Sequence, residues 1–245
     1  MPQAPFDFQA LQDQVLLAAL PYIVFDGWSM AALFDGAQSA GLTRFDVARA
    51  FPAGEAEAVA HFADWADRRM LAGLAEYDLP TMKVRARAHA AVRARLEALA
   101  PYKEAVRRAI AFSALPVHCA LGPKTLYATV DAIWFAIGDD STDFNFYTKR
   151  ALLAAVVAST TLYWLEDSSE EHEETWAFLD RALDGALGFG RAAGGVGQSL
   201  GKAAALLDKL PSPSRFLRRL REAGGAPGAA MRAAAAAAQP GHATA

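Results

Sequence analysis

The chain has 245 residues and a formal net charge of -3, with 53% hydrophobic residues, so it can bury a sizeable core without disulfides or metals. Its single cysteine, Cys119, excludes an intrachain disulfide and a thiolate metal cluster, and suits a reducing compartment. The charge is uneven: from residue 189 onward eight basic residues face two acidic ones, a surplus of six that leaves about -9 on the preceding body.

The opening residues, Met1 to Ala10, carry neither the basic and apolar regions of a secretory signal nor the arginines of a mitochondrial presequence. The sequence therefore predicts a cytoplasmic protein, peripheral at the inner membrane of a bacterium, or else a processed form. Apolar residues then recur at spacings of three and four almost throughout, with Gly and Pro between the periodic segments, which predicts an all-α fold. Helices are expected over 8–20, stopped by Pro21; over 29–40, with Ser29 as N-cap and Gly41 as stop; over 43–51; and over 55–77, ended by Pro80. They continue over 81–98, over 102–115 after Pro101, and over 123–137, with Pro123 at the first helical position and Gly138 as terminator. Two more, over 141–165 and 170–187, complete about nine. The apolar run within 151–165 is broken by Ser159, Thr160 and Thr161 and falls short of the roughly 20 residues that cross a bilayer.

Beyond residue 188 the composition turns to Ala, Gly and Pro, which supply little bulky apolar surface. Three regions follow: helix-turn-helix-like helices over 1–78, a helical bundle over 79–188 and a flexible basic tail over 189–245. Within the tail, Phe216, Leu217 and Leu220 fall near one helical face and Arg215, Arg218, Arg219 and Arg221 surround it. Such a segment can lay its cations on anionic headgroups and its apolar side chains into the boundary, so it is the expected membrane-binding element.

The stretch Gly41-Leu-Thr-Arg-Phe-Asp-Val-Ala-Arg-Ala-Phe-Pro52, with the helices around it, resembles the DNA-binding head of tetracycline-repressor-type regulators. A ligand-sensing regulator is thus the alternative reading. DNA affinity, however, comes mostly from Lys and Arg at phosphates. Residues 1–51 hold five aspartates against Arg44 and Arg49, and the reading helix offers Phe45, Asp46 and Val47 where base-reading polar groups belong. No nucleic-acid partner is expected.

Motifs for chemistry are scarce. None of the five histidines stands at a metal-ligand spacing from another or from Cys119. The segment Asp139 to Asn145 has oxygens at alternate positions like a calcium loop, but Phe144 takes the place of the required glycine and Arg150 that of the bidentate glutamate. Asp140 or Ser141 is better read as a helix cap. The acidic run from Glu166 to Glu174 straddles a helix start, where carboxylates complement the dipole. No nucleophile elbow or phosphate loop appears, so neither catalysis nor a cofactor is expected.

Asp139-Asp-Ser-Thr-Asp-Phe-Asn-Phe-Tyr-Thr-Lys-Arg150 and Glu173-Glu-Thr-Trp-Ala-Phe-Leu-Asp-Arg181 closely resemble the Coq-nine family of ubiquinone-biosynthesis proteins. The resemblance runs from about Leu16 to Leu187. It implies a tetracycline-repressor-like fold without the DNA role, binding of isoprenoid quinone precursors and phospholipid, and assistance to a di-iron hydroxylase at a membrane surface. It maps the partner-binding patch to Asp143, Phe146, Tyr147 and Arg150, with phenylalanine at 146 where animal members have tryptophan.

For the lipid site, the helices over 102–165 supply Phe112, Leu115, Leu126, Ile133, Trp134, Ile137, Leu153, Val157 and Trp164. The small residues Ala105, Ala109, Ala132, Ala154, Ala155 and Ala158 between them leave room for an apolar cavity. By analogy with regulators of this fold, a homodimer would pair through the last two helices.

Overall fold

The computed structural model describes residues 7–138 and 145–192, with side chains over 7–138 and 149–186. All of these residues belong to one compact unit, Met1–Gly194. The described residues form nine α-helices: α1 Phe8–Asp26, α2 Met30–Ser39, α3 Arg44–Ala50, α4 Glu55–Leu74, α5 Val84–Leu99, α6 Lys103–Ser113, α7 Leu121–Ala136, α8 Asn145–Glu166 and α9 Glu173–Ala192. Among the described residues there is no strand.

Local chemistry sets most boundaries. Asp7 caps α1 by accepting from the Ala10 N–H at 3.0 Å, and Ser29 caps α2 from Ala32. Thr43 and Asp46 form a reciprocal capping box at the start of α3, the Thr43 N–H donating to Asp46 Oδ2 at 2.9 Å. Gly138 closes α7 with φ of 78°, a left-handed conformation that suits a residue without Cβ.

Several boundaries differ from the sequence expectation: α4 stops at Leu74 rather than 77, α5 starts at Val84 rather than 81, and α7 starts at Leu121, so Pro123 is its third residue and not its first. Pro21 does not stop α1, which runs on to Asp26. Pro21 lies on the exposed face beside Leu17, where water can serve the carbonyl that proline leaves without an N–H, and continuing the helix buries Ile23 completely. The last helix starts later than 170. Glu170–His172 form a single 3-10 turn in which Glu171 and His172 have φ of 47° and 59°, and α9 begins at Glu173. Asp167 organises this corner: its carboxylate accepts from Ser169 N–H at 2.8 Å, Thr175 N–H at 3.0 Å and the Thr175 hydroxyl at 2.5 Å. Burial alone would raise its pKa, but these hydrogen bonds hold it down at about 2. The expected role of this acidic run at a helix start is thus taken by Asp167 as a cap, with Glu173 and Glu174 in the first turn of α9.

Packing follows the chain. α1 lies against α2, α3, α4 and α6; α4 against α5 and α7; α8 against α7 and α9. At the α1–α2 crossing Gly36 faces the backbone of Ala18 and Ala19 so closely that a Cβ would meet Ala19 Cα at 2.4 Å. An aromatic ladder binds the front helices to the body: Trp28 meets Phe62 at 5.3 Å between centroids, Phe62 stacks on Trp65 at 6.3 Å, and Tyr102 meets Trp65 edge-on at 5.6 Å. The Trp28 indole N–H donates to the Ala105 carbonyl at 3.1 Å, which ties the start of α2 to α6.

Candidate functional site

A cavity of about 380 Å³ lies inside the body, with walls drawn from α4, α5, α6, α7 and α8. The face of α4 that repeats at three and four residues contributes Val59, Phe62, Ala63 and Ala66, in which two alanines leave the space that two larger residues border. α6 adds Ala109 and Ile110, with Ala114 just beyond its end, and α8 adds Val157, Ala158 and Leu162. Several residues of the α6, α7 and α8 walls are half-buried, so the cavity opens to the surface along that side.

The wall is mostly apolar, with hydroxyls from Ser113, Thr125 and Thr161, and carries charge at one corner. Asp67 of α4 is 7% exposed and pairs with Arg95 of α5, whose Nε donates to Asp67 Oδ1 at 2.6 Å. The hydroxyl of Thr129 on α7, itself 1% exposed, faces both carboxylate oxygens at 3.0 and 2.9 Å. Burial raises the Asp67 carboxyl above its ordinary pKa; the charge and hydrogen bond of Arg95 and the hydroxyl of Thr129 oppose the shift without cancelling it. Arg95 and Thr129 both line the cavity.

Of the nine residues expected at a lipid site, Leu126 and Val157 line this cavity. Ile133, Trp134, Ile137, Leu153 and Trp164 are buried in the surrounding core rather than in the lining. Phe112 is half-buried and stacks on His118 with centroids 4.1 Å apart, and Leu115 is exposed in the connection after α6. Of the expected small residues, Ala109 and Ala158 reach the wall. Sequence reasoning missed the contribution of α4 and α5. The signal was present in the spacing of Val59, Phe62, Ala63 and Ala66, whereas nothing local ties Asp67 to Arg95.

Of the expected partner patch, Asp143 lies outside the described residues, and Phe146 and Tyr147 fall in the first turn of α8, outside the described side chains. Arg150 is buried and donates through Nε and Nη2 to Asp131 Oδ1 at 3.0 and 2.8 Å. On the neighbouring α7 surface, Tyr127 and Phe135 are exposed. The calcium-like stretch before Asn145 and the tail residues Arg215, Phe216, Leu217, Arg218, Arg219, Leu220 and Arg221 also lie outside the described residues. Among the described residues, no three His, Cys, Asp or Glu side chains gather where they could hold a metal ion.

On α3, Arg44 lies over the Phe34 ring at 5.0 Å and Arg49 over Phe45 at 5.7 Å, while Phe45 itself is exposed. The helix in the reading position thus presents an aromatic ring flanked by arginines that lean on rings, and Asp46 is engaged in the capping box.

A family model described as COQ9 matches residues 119–190. The ubiquinone biosynthesis protein COQ9, mitochondrial, of Homo sapiens is 35% identical over 192 residues, covering 76% of this chain and 60% of that protein. Its counterpart in Drosophila melanogaster is 34% identical over 182 residues, covering 73% of this chain and 56% of that protein. The chain therefore spans about 60% of the length of such relatives. A TetR transcriptional regulator from Nitrosomonas europaea superposes with a TM-score of 0.60 at 20% identity, covering 73% of this chain and 98% of that one, and shows the fold to be tetracycline-repressor-like. The relatives are named as mitochondrial proteins, which overturns the expectation of a cytoplasmic location at a bacterial inner membrane. Targeting signals are separable from the folded body, so composition and helix pattern do not encode the compartment.

Proposed function

We propose that the chain, by its likeness to COQ9 proteins, serves ubiquinone biosynthesis as a non-catalytic accessory protein. In this reading it takes an isoprenoid quinone precursor or a phospholipid into the cavity and presents it to a partner hydroxylase at a membrane surface. The observation that carries the reading is the apolar cavity of about 380 Å³ among α4 to α8. Packed interiors seldom keep such a void without a use. Each methylene-sized group moved from water into it gains about 0.8 kcal/mol, so even a short stretch of isoprene chain would be held. Extraction from a bilayer returns much of that gain, which is why the reading includes contact with the membrane, assigned to the segment from Arg215 to Arg221.

Leu126 and Val157 would touch the guest, with Phe112 and Leu115 at the α6 end. Ile133, Trp134, Ile137, Leu153 and Trp164 would form the fixed core behind it. The partner would dock at the start of α8 through Asp143, Phe146 and Tyr147, with Arg150 anchored on Asp131 beneath them. Pairing of two copies through α8 and α9 belongs to the same proposal. DNA has no part in it, given the acidic front of the chain and the ring-bound arginines of α3.

Mass spectrometry of lipid extracted from the purified full chain, before and after incubation with vesicles containing ubiquinone, tests the reading. A stoichiometric isoprenoid or phospholipid is expected. Protein that carries neither and takes up neither would refute it.

A further inference from the structure

Resting on the reading of the cavity as an apolar ligand's site, we propose that Arg95 is the anchor for the ligand's head, donating from its two Nη groups to a neutral oxygen on an aromatic ring. The oxygen can be a quinone carbonyl, a phenol or a methoxy group. The apolar remainder of the ligand lies against Ala63, Ala66, Ala109 and Ala158.

The geometry supplies the donors. A guanidinium has five N–H groups, and here Nε is committed to Asp67 at 2.6 Å. Neither Nη group makes a hydrogen bond to another described residue, and the side chain, 12% exposed, lines the cavity. Donors left at the wall of an apolar space are costly to strip of water unless an acceptor arrives with the guest. The pair is also held in one orientation. Asp67 receives Arg95 on one side and the Thr129 hydroxyl on the other, so Asp67 and Thr129 act as positioning residues.

Charge selects the kind of oxygen. Asp67 neutralises Arg95, and no other residue lining the cavity is charged. A phosphate head would bring an uncompensated negative charge next to a buried carboxylate, at a large desolvation cost. A pure hydrocarbon would leave the Nη donors unserved. A neutral oxygen-bearing ring meets both conditions.

Displacement of the neutral dye Nile red from the full chain tests this with three probes of equal tail length: decylubiquinone, decylbenzene and decyl phosphate. Wild-type protein should bind decylubiquinone about tenfold or more tighter than decylbenzene, the value of hydrogen bonds from a charged donor. Decyl phosphate should bind more weakly than decylubiquinone; tighter binding would overturn the neutral-oxygen assignment with no variant involved. The double variant Asp67→Leu/Arg95→Met removes both charges together. It should bind decylbenzene at least as tightly as wild-type protein, since no donor is left unserved, and lose the preference for decylubiquinone. If the double variant retains the tenfold preference, Arg95 is not the anchor, while the cavity reading stands. If no probe displaces the dye from wild-type protein, the cavity reading fails and takes the anchor with it.

Discussion

Gly36→Ala places one methyl group at the close crossing of α1 and α2. An ideal Cβ at this position would lie 2.4 Å from Ala19 Cα, 2.6 Å from the Ala18 carbonyl oxygen and 2.7 Å from Ala19 N. All three atoms are backbone, so no side chain can swing aside, and α1 and α2 must part by about 1 Å to reach ordinary van der Waals contact. Overpacking of a core costs about 1–3 kcal/mol, and here the upper part of that range applies because the strain falls on two helix backbones. Alanine returns about 1 kcal/mol over glycine in a helix interior. The net is a loss of about 2 kcal/mol, or about 4–8 °C in Tm for a chain of this size. Gly185 in α9 is the control: a Cβ there meets open space, so Gly185→Ala should raise stability by about 0.5–1 kcal/mol. Thermal melts followed by circular dichroism read both. Equal or higher stability of Gly36→Ala would refute the close crossing of α1 and α2.

The Asp167 carboxyl sits at about 2 in the folded chain against an ordinary value of 3.8. A depressed carboxyl contributes stability that is fully present above about pH 4 and is lost as pH falls through about 2. Asp167→Asn should therefore cost about 2 kcal/mol at neutral pH and flatten the acid limb of urea-unfolding stability between about pH 4 and pH 2. Arg95→Met alone leaves the Asp67 carboxylate buried without its cation and should cost about 3–5 kcal/mol, whereas the double variant with Asp67→Leu should cost far less; denaturant midpoints compare them. Thr43→Ala removes half of the α3 capping box and should cost about 1 kcal/mol, read in the same titrations.

Most helices were legible because their faces are periodic and their ends carry capping chemistry: Ser29, Gly41 and Gly138 stand where the sequence places them, and Thr43, expected as the first residue of its helix, caps it instead. Pro21 was misread as a stop because its effect depends on which side of the helix meets water, and the one-dimensional pattern does not say. The acidic run does stand at a helix start, with Glu173 and Glu174 in the first turn, but that start was placed three residues early because the buried Asp167, reaching eight residues along to Thr175, sets it. The candidate site was half legible. The alanines of α6 and α8 point to space, but the opposite wall belongs to α4 and α5. The Asp67–Arg95 pair spans 28 residues and reads in sequence as two ordinary surface charges. Only packing shows that they meet at a cavity wall. The compartment was not legible at all.

Five helices share the walls of one void, so emptying it leaves the middle of the body soft. Hydrostatic pressure works against internal voids, since unfolding or flooding them reduces the system's volume. The unliganded chain should consequently be compressible at its centre and yield to modest pressure there first. A guest that occupies the space would stiffen all five helices at once, so loading would be felt at the outer ends of α7 and α8 without any hinge.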